Sequence, residues 1–299
     1  MFGGIALSLI FFLSSAWALP LSVAASIAPL CSLIHEVGGE RVKVIQLIPN
    51  GANPHAYEPT PGEVKKLEEA QAIFLIGLGF DTMFERLLGD LKKTKAVFSV
   101  SEGIEVLTDV FGHSHGEEEG EHEEEDEKVG YPDPHVWVSL RNAQRIVQTI
   151  TKALTQIDPE GKTVYEENAA RYIRRLQELD EYFREKFASL RNRAFVASHN
   201  AWSYVARDYG LQLKGVIERA PEREPTPQEI AQLITLMREE GVKMVFAEVQ
   251  FNQKLAQLLT QETGATIILL DPLGSFPEKP YLELMKQNLT AILQGFTSP

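Results

Sequence analysis

The chain has 299 residues, 44% of them hydrophobic and 24% charged, a globular composition with length enough for two domains that each bury a core. Its formal charge of −13, from 42 acidic against 29 basic residues, argues against a general nucleic-acid binder, because nothing supplies a basic stripe to neutralise phosphates. The acidity is local: residues 117–127 read EEEGEHEEEDE, and setting those nine carboxylates aside leaves the rest of the chain at −4.

Residues 1–18, MFGGIALSLIFFLSSAWA, carry no charged side chain, and an apolar run from Ile5 to Leu13 leads into Ala16-Trp17-Ala18, the small-residue pattern of a cleaved export signal. The run is short for a membrane span of roughly 20 residues, and Pro20 follows at once. The sequence therefore predicts a mature protein starting near Leu19, exported and soluble, with no later stretch apolar enough to cross a bilayer. Cys31 is the only cysteine, so no intrachain disulfide forms even in an oxidising compartment. Pro29 and Leu30 stand where a lipidation site has small residues, so no lipid anchor is expected, and Cys31 reads as a small buried apolar side chain.

In chain order, runs rich in β-branched residues at Leu21–Ile27 and Val42–Ile48 flank a helical pattern from Pro29 to Val37, which Gly38-Gly39 stops. A Pro/Gly/Asn loop over 49–61 precedes a helix from Pro61 to Ala70, opened by Thr60 as N-cap with Glu63 three residues on. A strand over Ala72–Ile76, a helix near Asp81–Leu88 and a strand over Ala96–Val100 complete the first series. Such alternation predicts a mostly parallel sheet with helices on its faces. Residues 109–134 break the pattern, and a stretch so strongly like-charged cannot bury itself, so a mobile surface loop is expected there.

Ser139–Ile157 then reads as a helix that Asp158-Pro159 ends, and the longest periodic segment follows, over about Pro159–Asn192. Leu176, Leu179, Phe183, Phe187 and Leu190 form its apolar stripe. A helix of that length would be about 50 Å long, enough to bridge two small domains. The second half repeats the first in kind. Strands are expected at Ala194–Ser198, Leu213–Ile217, Val242–Ala247 and Ile267–Leu270, and helices near Ala201–Tyr209, Thr226–Glu240, Asn252–Thr263 and Pro280–Phe296. The inferred fold class is α/β: an N-terminal lobe over 19–157, a bridging helix over 158–192 and a C-terminal lobe over 193–299.

The seven histidines fall into three groups. His35 sits before Gly38-Gly39 and reads as a helix-end or packing residue, while His113, His115 and His122 lie in the acidic loop. His55 follows the strand ending near Ile48, His199 follows Ala194–Ser198, and Asp271 follows Ile267–Leu270, with Pro272 stopping the strand. Ligands of open α/β sheets bind beyond the carboxyl ends of strands, so these three point toward one crevice if the lobes face each other. His135 opens the segment after the acidic loop and is placed to reach the same crevice. Three imidazoles and a carboxylate suit a tetrahedral Zn²⁺ at about 2.0–2.2 Å per bond. Any one of them taken alone reads equally as a solvated loop residue.

Asn53-Pro54-His55-Ala56-Tyr57-Glu58-Pro59-Thr60-Pro61 resembles the signature loop of the solute-binding proteins of zinc and manganese ABC importers. Asp133-Pro134-His135-Val136-Trp137, Asn142-Ala143, Ser198-His199-Asn200-Ala201-Trp202 and Asp271-Pro272-Leu273-Gly274 match that family's other motifs in order, over nearly the whole mature chain. The resemblance implies two four-stranded lobes joined by one long rigid helix, with the metal in the crevice between them. It further implies a periplasmic monomer, not an enzyme, that captures Zn²⁺ and delivers it to a zinc ABC permease in the inner membrane.

In this family manganese-binding members carry Glu at the third ligand position and zinc-binding members His; here it is His199, and imidazole suits Zn²⁺ where Mn²⁺ favours oxygen. Import of Mn²⁺ or Fe²⁺ by the same fold is the alternative. The resemblance assigns Asp271 the fourth bond and Glu58 the bracing of the first loop. Glu248, after its strand, is expected to hydrogen-bond a ligand histidine and fix its tautomer. Trp137 and Trp202 are expected to be packing walls. The acidic loop with His113, His115 and His122 is either an accessory zinc collector or a solvated, charge-repelling segment. Four protein ligands leave no open position for an activated water, and no H-E-x-x-H occurs, which argues against a secreted zinc hydrolase. A metal-dependent adhesin would need a surface anchor.

Overall fold

The computed structural model describes residues 19–109, 130–218 and 224–297. The export signal expected over 1–18 and the loop histidines His113, His115 and His122 lie outside the described residues.

In the first lobe β1 (Leu21–Ala25) lies between β2 (Val42–Gln46) and β3 (Ala72–Leu75), with β4 (Ala96–Ser99) beyond β3 and every pairing parallel. The register sets Val23 beside both Val44 and Ala72. β3 reads Ala-Ile-Phe-Leu and is buried at every position, as a parallel strand covered on both faces must be. Helices α1 (Ala28–Gly38), α2 (Pro61–Glu69) and α3 (Thr82–Leu88) return the chain between strands. α1 ends where Gly39 turns through positive φ (53°), and Gly38 before it must lack a side chain because a Cβ there would sit 2.5 Å from Val42 Cβ. α2 opens on a capping box: Thr60 Oγ1 accepts the Gly62 N–H (3.2 Å), and the Glu63 carboxylate accepts the Thr60 N–H (3.0 Å). Cys31 is fully buried, and burial pushes its thiol up.

Two short strands, β5 (Thr108–Asp109) and β6 (Tyr131–Pro132), pair antiparallel. The two ends of the segment expected as a loop over 109–134 are thus stitched together, and Asp133 is buried. A strand of two residues carries no period for a sequence to display.

Helices α4 (Leu140–Ile157) and α5 (Lys162–Ala188) follow. α5 has 27 residues and is about 40 Å long, shorter than the expected rod because Pro159–Gly161 forms its own tight turn before it. It buries Tyr165, Tyr172, Leu176, Phe183 and Phe187, packing on α1 and α4 at one end. Each end is tied down. Asp158, just before it, accepts from Arg41 (2.8 Å) and from the Tyr165 hydroxyl (2.5 Å). Asp180 accepts from Arg184 (2.7 Å) and from the hydroxyl of Tyr209 in the second lobe (3.0 Å).

The second sheet has the order β10-β9-β7-β8, from β7 (Ala194–Ala197), β8 (Gln212–Val216), β9 (Met244–Glu248) and β10 (Thr266–Leu270), again all parallel. Its helices are α6 (Ser203–Tyr209), α7 (Pro227–Glu239), α8 (Lys254–Thr263) and α9 (Tyr281–Thr297). α9 returns toward the first lobe, where the Tyr281 N–H donates to Ser32 Oγ (2.8 Å) and its hydroxyl to Trp137 O (2.6 Å). One continuous apolar core therefore runs from Val23 and Phe74 through Tyr172 and Phe183 to Phe195 and Phe246. A smaller cluster around Val196, Ile230, Val245 and Leu259 fills the other face of the second sheet. Among the described residues no helix is long and apolar enough to cross a membrane.

Candidate metal centre

Three histidines from distant parts of the chain meet between the two sheets. His55 sits in the tight turn Pro54–Ala56, whose entry is fixed by Asn53 Oδ1 accepting the His55 N–H (3.0 Å). His135 immediately precedes the turn Val136–Val138. His199 lies just past the carboxyl end of β7. One ring nitrogen from each lies within 4.8 Å of the other two, and among the described residues this is the group that could hold a metal ion. The ring centroids are 5.3 Å (His55 to His135), 4.8 Å (His55 to His199) and 4.7 Å (His135 to His199) apart.

One pair has the spacing of two ligands on a small tetrahedral cation. His55 Nε2 and His135 Nε2 are 3.3 Å apart, and two bonds of about 2.05 Å at a tetrahedral angle span about 3.3 Å. Two of the rings are braced by buried carboxylates. Asp133 Oδ1 lies 2.8 Å from His135 Nδ1 and also accepts the His135 N–H (2.9 Å). Glu248 Oε1 lies 3.3 Å from His199 Nδ1 and accepts from Trp202 Nε1 (3.2 Å). A proton held on Nδ1 by a carboxylate makes Nε2 the ligating atom and raises its basicity. Burial alone would push the His199 imidazole down, but the Glu248 carboxylate, with Asp133 and Glu218 beyond it, outweighs burial and raises it.

Aromatic walls surround the imidazoles. Phe80 packs edge-on against His55 (5.6 Å) and against Trp137 (4.9 Å), Trp137 lies 5.3 Å from His135, and Phe251 lies 5.1 Å from His199. Phe80 is delivered by a turn in which Gly77, Leu78 and Gly79 all have positive φ (83°, 58° and 82°), a conformation costly for leucine. Asp81 Oδ2 accepts the Gly77 N–H (2.8 Å) and holds that turn closed. Burial pushes its carboxyl up to about 7, against the opposing hydrogen bond from the Gly77 N–H.

The structure places the other expected residues as follows. Glu248 is buried against His199. Asp271 lies past β10 but is not in the group of atoms within 4.8 Å. Its Oδ1 accepts from Gln250 Nε2 (2.7 Å) and from the N–H groups of Leu273 (3.1 Å) and Gly274 (2.8 Å). The turn it belongs to is docked on the His135 segment, because Trp137 Nε1 donates to Pro272 O (2.9 Å). Glu58 is exposed; the carboxylate that braces the His55 loop is Glu63, which accepts from the Thr60 N–H (3.0 Å), the Thr60 hydroxyl (2.5 Å) and Lys66 (3.2 Å). His35 is exposed at the end of α1 against Phe276. Sequence reasoning missed Asp133, Phe80 and the half-buried Glu218 beyond β8. Only Asp133 had a visible signal, a carboxylate two residues before a candidate ligand.

Comparison with known proteins places this geometry among relatives. The family model described as zinc-uptake complex component A, periplasmic (ZnuA), matches residues 23–295. The zinc-binding lipoprotein AdcA of Streptococcus pneumoniae is 31% identical over 285 residues, covering 92% of this chain and 55% of AdcA, so the chain spans about half the length of that relative. The manganese ABC transporter substrate-binding lipoprotein PsaA of Streptococcus mitis is 30% identical over 288 residues, covering 92% of this chain and 89% of PsaA. A solved structure of a zinc-bound deletion mutant of ZnuA superposes with a TM-score of 0.78 at 32% identity, covering 92% of this chain and 96% of that one.

Proposed function

The chain belongs to the zinc-uptake component A family, and from that premise we propose that it captures Zn²⁺ outside the cytoplasm and delivers it to an ABC permease in the membrane. The observation that carries this reading is the meeting of His55, His135 and His199, each offering a ring nitrogen within 4.8 Å of the others. Zn²⁺ enters the crevice, sheds its water and is bound by the three imidazoles, with Asp271 turning an oxygen toward it as fourth ligand. The docking of Pro272 on Trp137 supports that role, since it keeps the Asp271 turn beside the His135 segment. Four protein donors leave no position for an activated water, so the protein binds its cation and does not turn over a substrate.

Release follows from small lobe shifts and loop movements that break one or two bonds. A wide hinge opening is disfavoured by α5, tied at both ends, and by the apolar core that crosses between lobes. Import of Mn²⁺ is the second reading, favoured by the likeness to PsaA; three nitrogen donors favour Zn²⁺ over Mn²⁺. Paired zinc and manganese titrations of the wild type and His199→Glu separate the two. Manganese affinity rises at zinc's expense in the variant if His199 sets the choice, and unchanged selectivity contradicts the assignment.

A further inference from the structure

Tyr204 stands in α6, five residues after His199, with its side chain fully buried. Its hydroxyl crosses to the first lobe, donating to Asp133 O (2.7 Å) and accepting the Leu107 N–H (3.2 Å). The Asp133 N–H donates to Leu107 O (2.8 Å), so the phenol and the two backbone segments close a ring of hydrogen bonds. Asp133 is the residue whose carboxylate orients His135, through both the backbone N–H (2.9 Å) and Nδ1 (2.8 Å). A covalent path from His199 to Tyr204 and a hydrogen-bonded path from Tyr204 through Asp133 to His135 thus span the two lobes, and the two rings lie 4.7 Å apart. Burial pushes the Tyr204 phenol up, so it remains a donor. The neighbouring α6 residues hold the far side of His135: Asp208 accepts from the Ser139 hydroxyl, and Arg207 donates to Asn142 Oδ1 (3.2 Å).

We propose that Tyr204 is a positioning residue whose hydroxyl sets the spacing of His135 from His199, and thereby the rate at which a bound divalent cation leaves. The inference rests on the three-histidine site proposed above. The hydroxyl's two hydrogen bonds go to backbone groups, at Asp133 and Leu107. Its effect passes through the backbone of Asp133.

The test uses the full chain and Co²⁺ alone as probe, since its visible absorption reports a tetrahedral donor set, with release followed into an excess of chelator. Tyr204→Phe keeps the ring and removes only the hydroxyl. It is expected to shift the Co²⁺ band and to speed release about tenfold, because the bonds to Asp133 O and from the Leu107 N–H are lost together. Thr151→Val is the control, because it removes a half-buried hydroxyl that only donates to Val147 O (2.7 Å) within α4, away from the site; it should keep the wild-type band and rate. A wild-type band and rate in Tyr204→Phe, or an equal change in Thr151→Val, overturns the inference while leaving the site intact. A wild-type band that survives His135→Ala overturns the site itself, and the inference with it.

Discussion

Glu248 Oε1 lies 3.3 Å from His199 Nδ1, both side chains being buried between the lobes. A carboxylate in that position does two jobs. It holds the Nδ1 proton so that Nε2 faces the other histidines, and it offsets the charge that a cation brings into a dry crevice. Glu248→Gln keeps the shape and removes the charge. Zinc affinity, measured by competition against a chelator, should fall about 10–100-fold. Wild-type affinity in the variant would show that the tautomer is set by something else.

The same pair sets a pH dependence. Because Glu248 outweighs burial and raises the His199 imidazole, a proton competes with zinc from above the ordinary value of about 6.5. Affinity should therefore be full in mildly alkaline solution and fall as pH drops, with the decline starting above 6.5. In the metal-free protein the sign reverses: the protonated pair adds stability below about 6.5, and that stability is lost as pH rises through the raised value. Zinc titrations across pH 5–9, paired with melting curves without metal, measure both slopes. A decline in affinity that begins only below 6.5 would contradict the raised imidazole.

Glu63 makes an acid-side prediction. Burial pushes its carboxyl up, but the Thr60 hydroxyl and amide, Lys66 and Tyr57 outweigh it and hold it at about 2 instead of 4.5. Its contribution to stability is present above 4.5 and is lost as pH falls toward 2. Glu63→Gln should lower the melting temperature at neutral pH and flatten its fall over that acid range. Since Glu63 also braces the loop that carries His55, zinc binding should weaken in the variant. A melting curve that tracks the wild type at every pH would contradict the role.

Most of the fold was legible because its strands are short apolar runs with clear stops. Ala72–Leu75 before a Gly-rich turn, or Thr266–Leu270 before Asp271-Pro272, leave little choice. The α5 helix was read too long at its far end because Leu190 continues the apolar stripe, yet its N–H bonds back to Phe187 O in a tightened last turn. His55 and His199 were legible from their places beyond strand ends, and His135 from its place after the acidic segment. What surrounds them was not. Tyr204 and Asp133 are separated by 71 residues and meet only after both lobes form. Phe80 reaches His55 only because Gly77, Leu78 and Gly79 turn through positive φ, which no periodicity announces. Asp271 was placed at the right strand end, but sequence does not tell which donors occupy its Oδ1.

The most direct test is a zinc competition titration of three proteins: the wild type, a variant lacking residues 112–128, and His135→Ala. One tight equivalent should survive the deletion and be lost in His135→Ala, which places capture at His55, His135 and His199. Tight binding that disappears with residues 112–128 and persists in His135→Ala would make the acidic segment the zinc site and contradict the three-histidine centre.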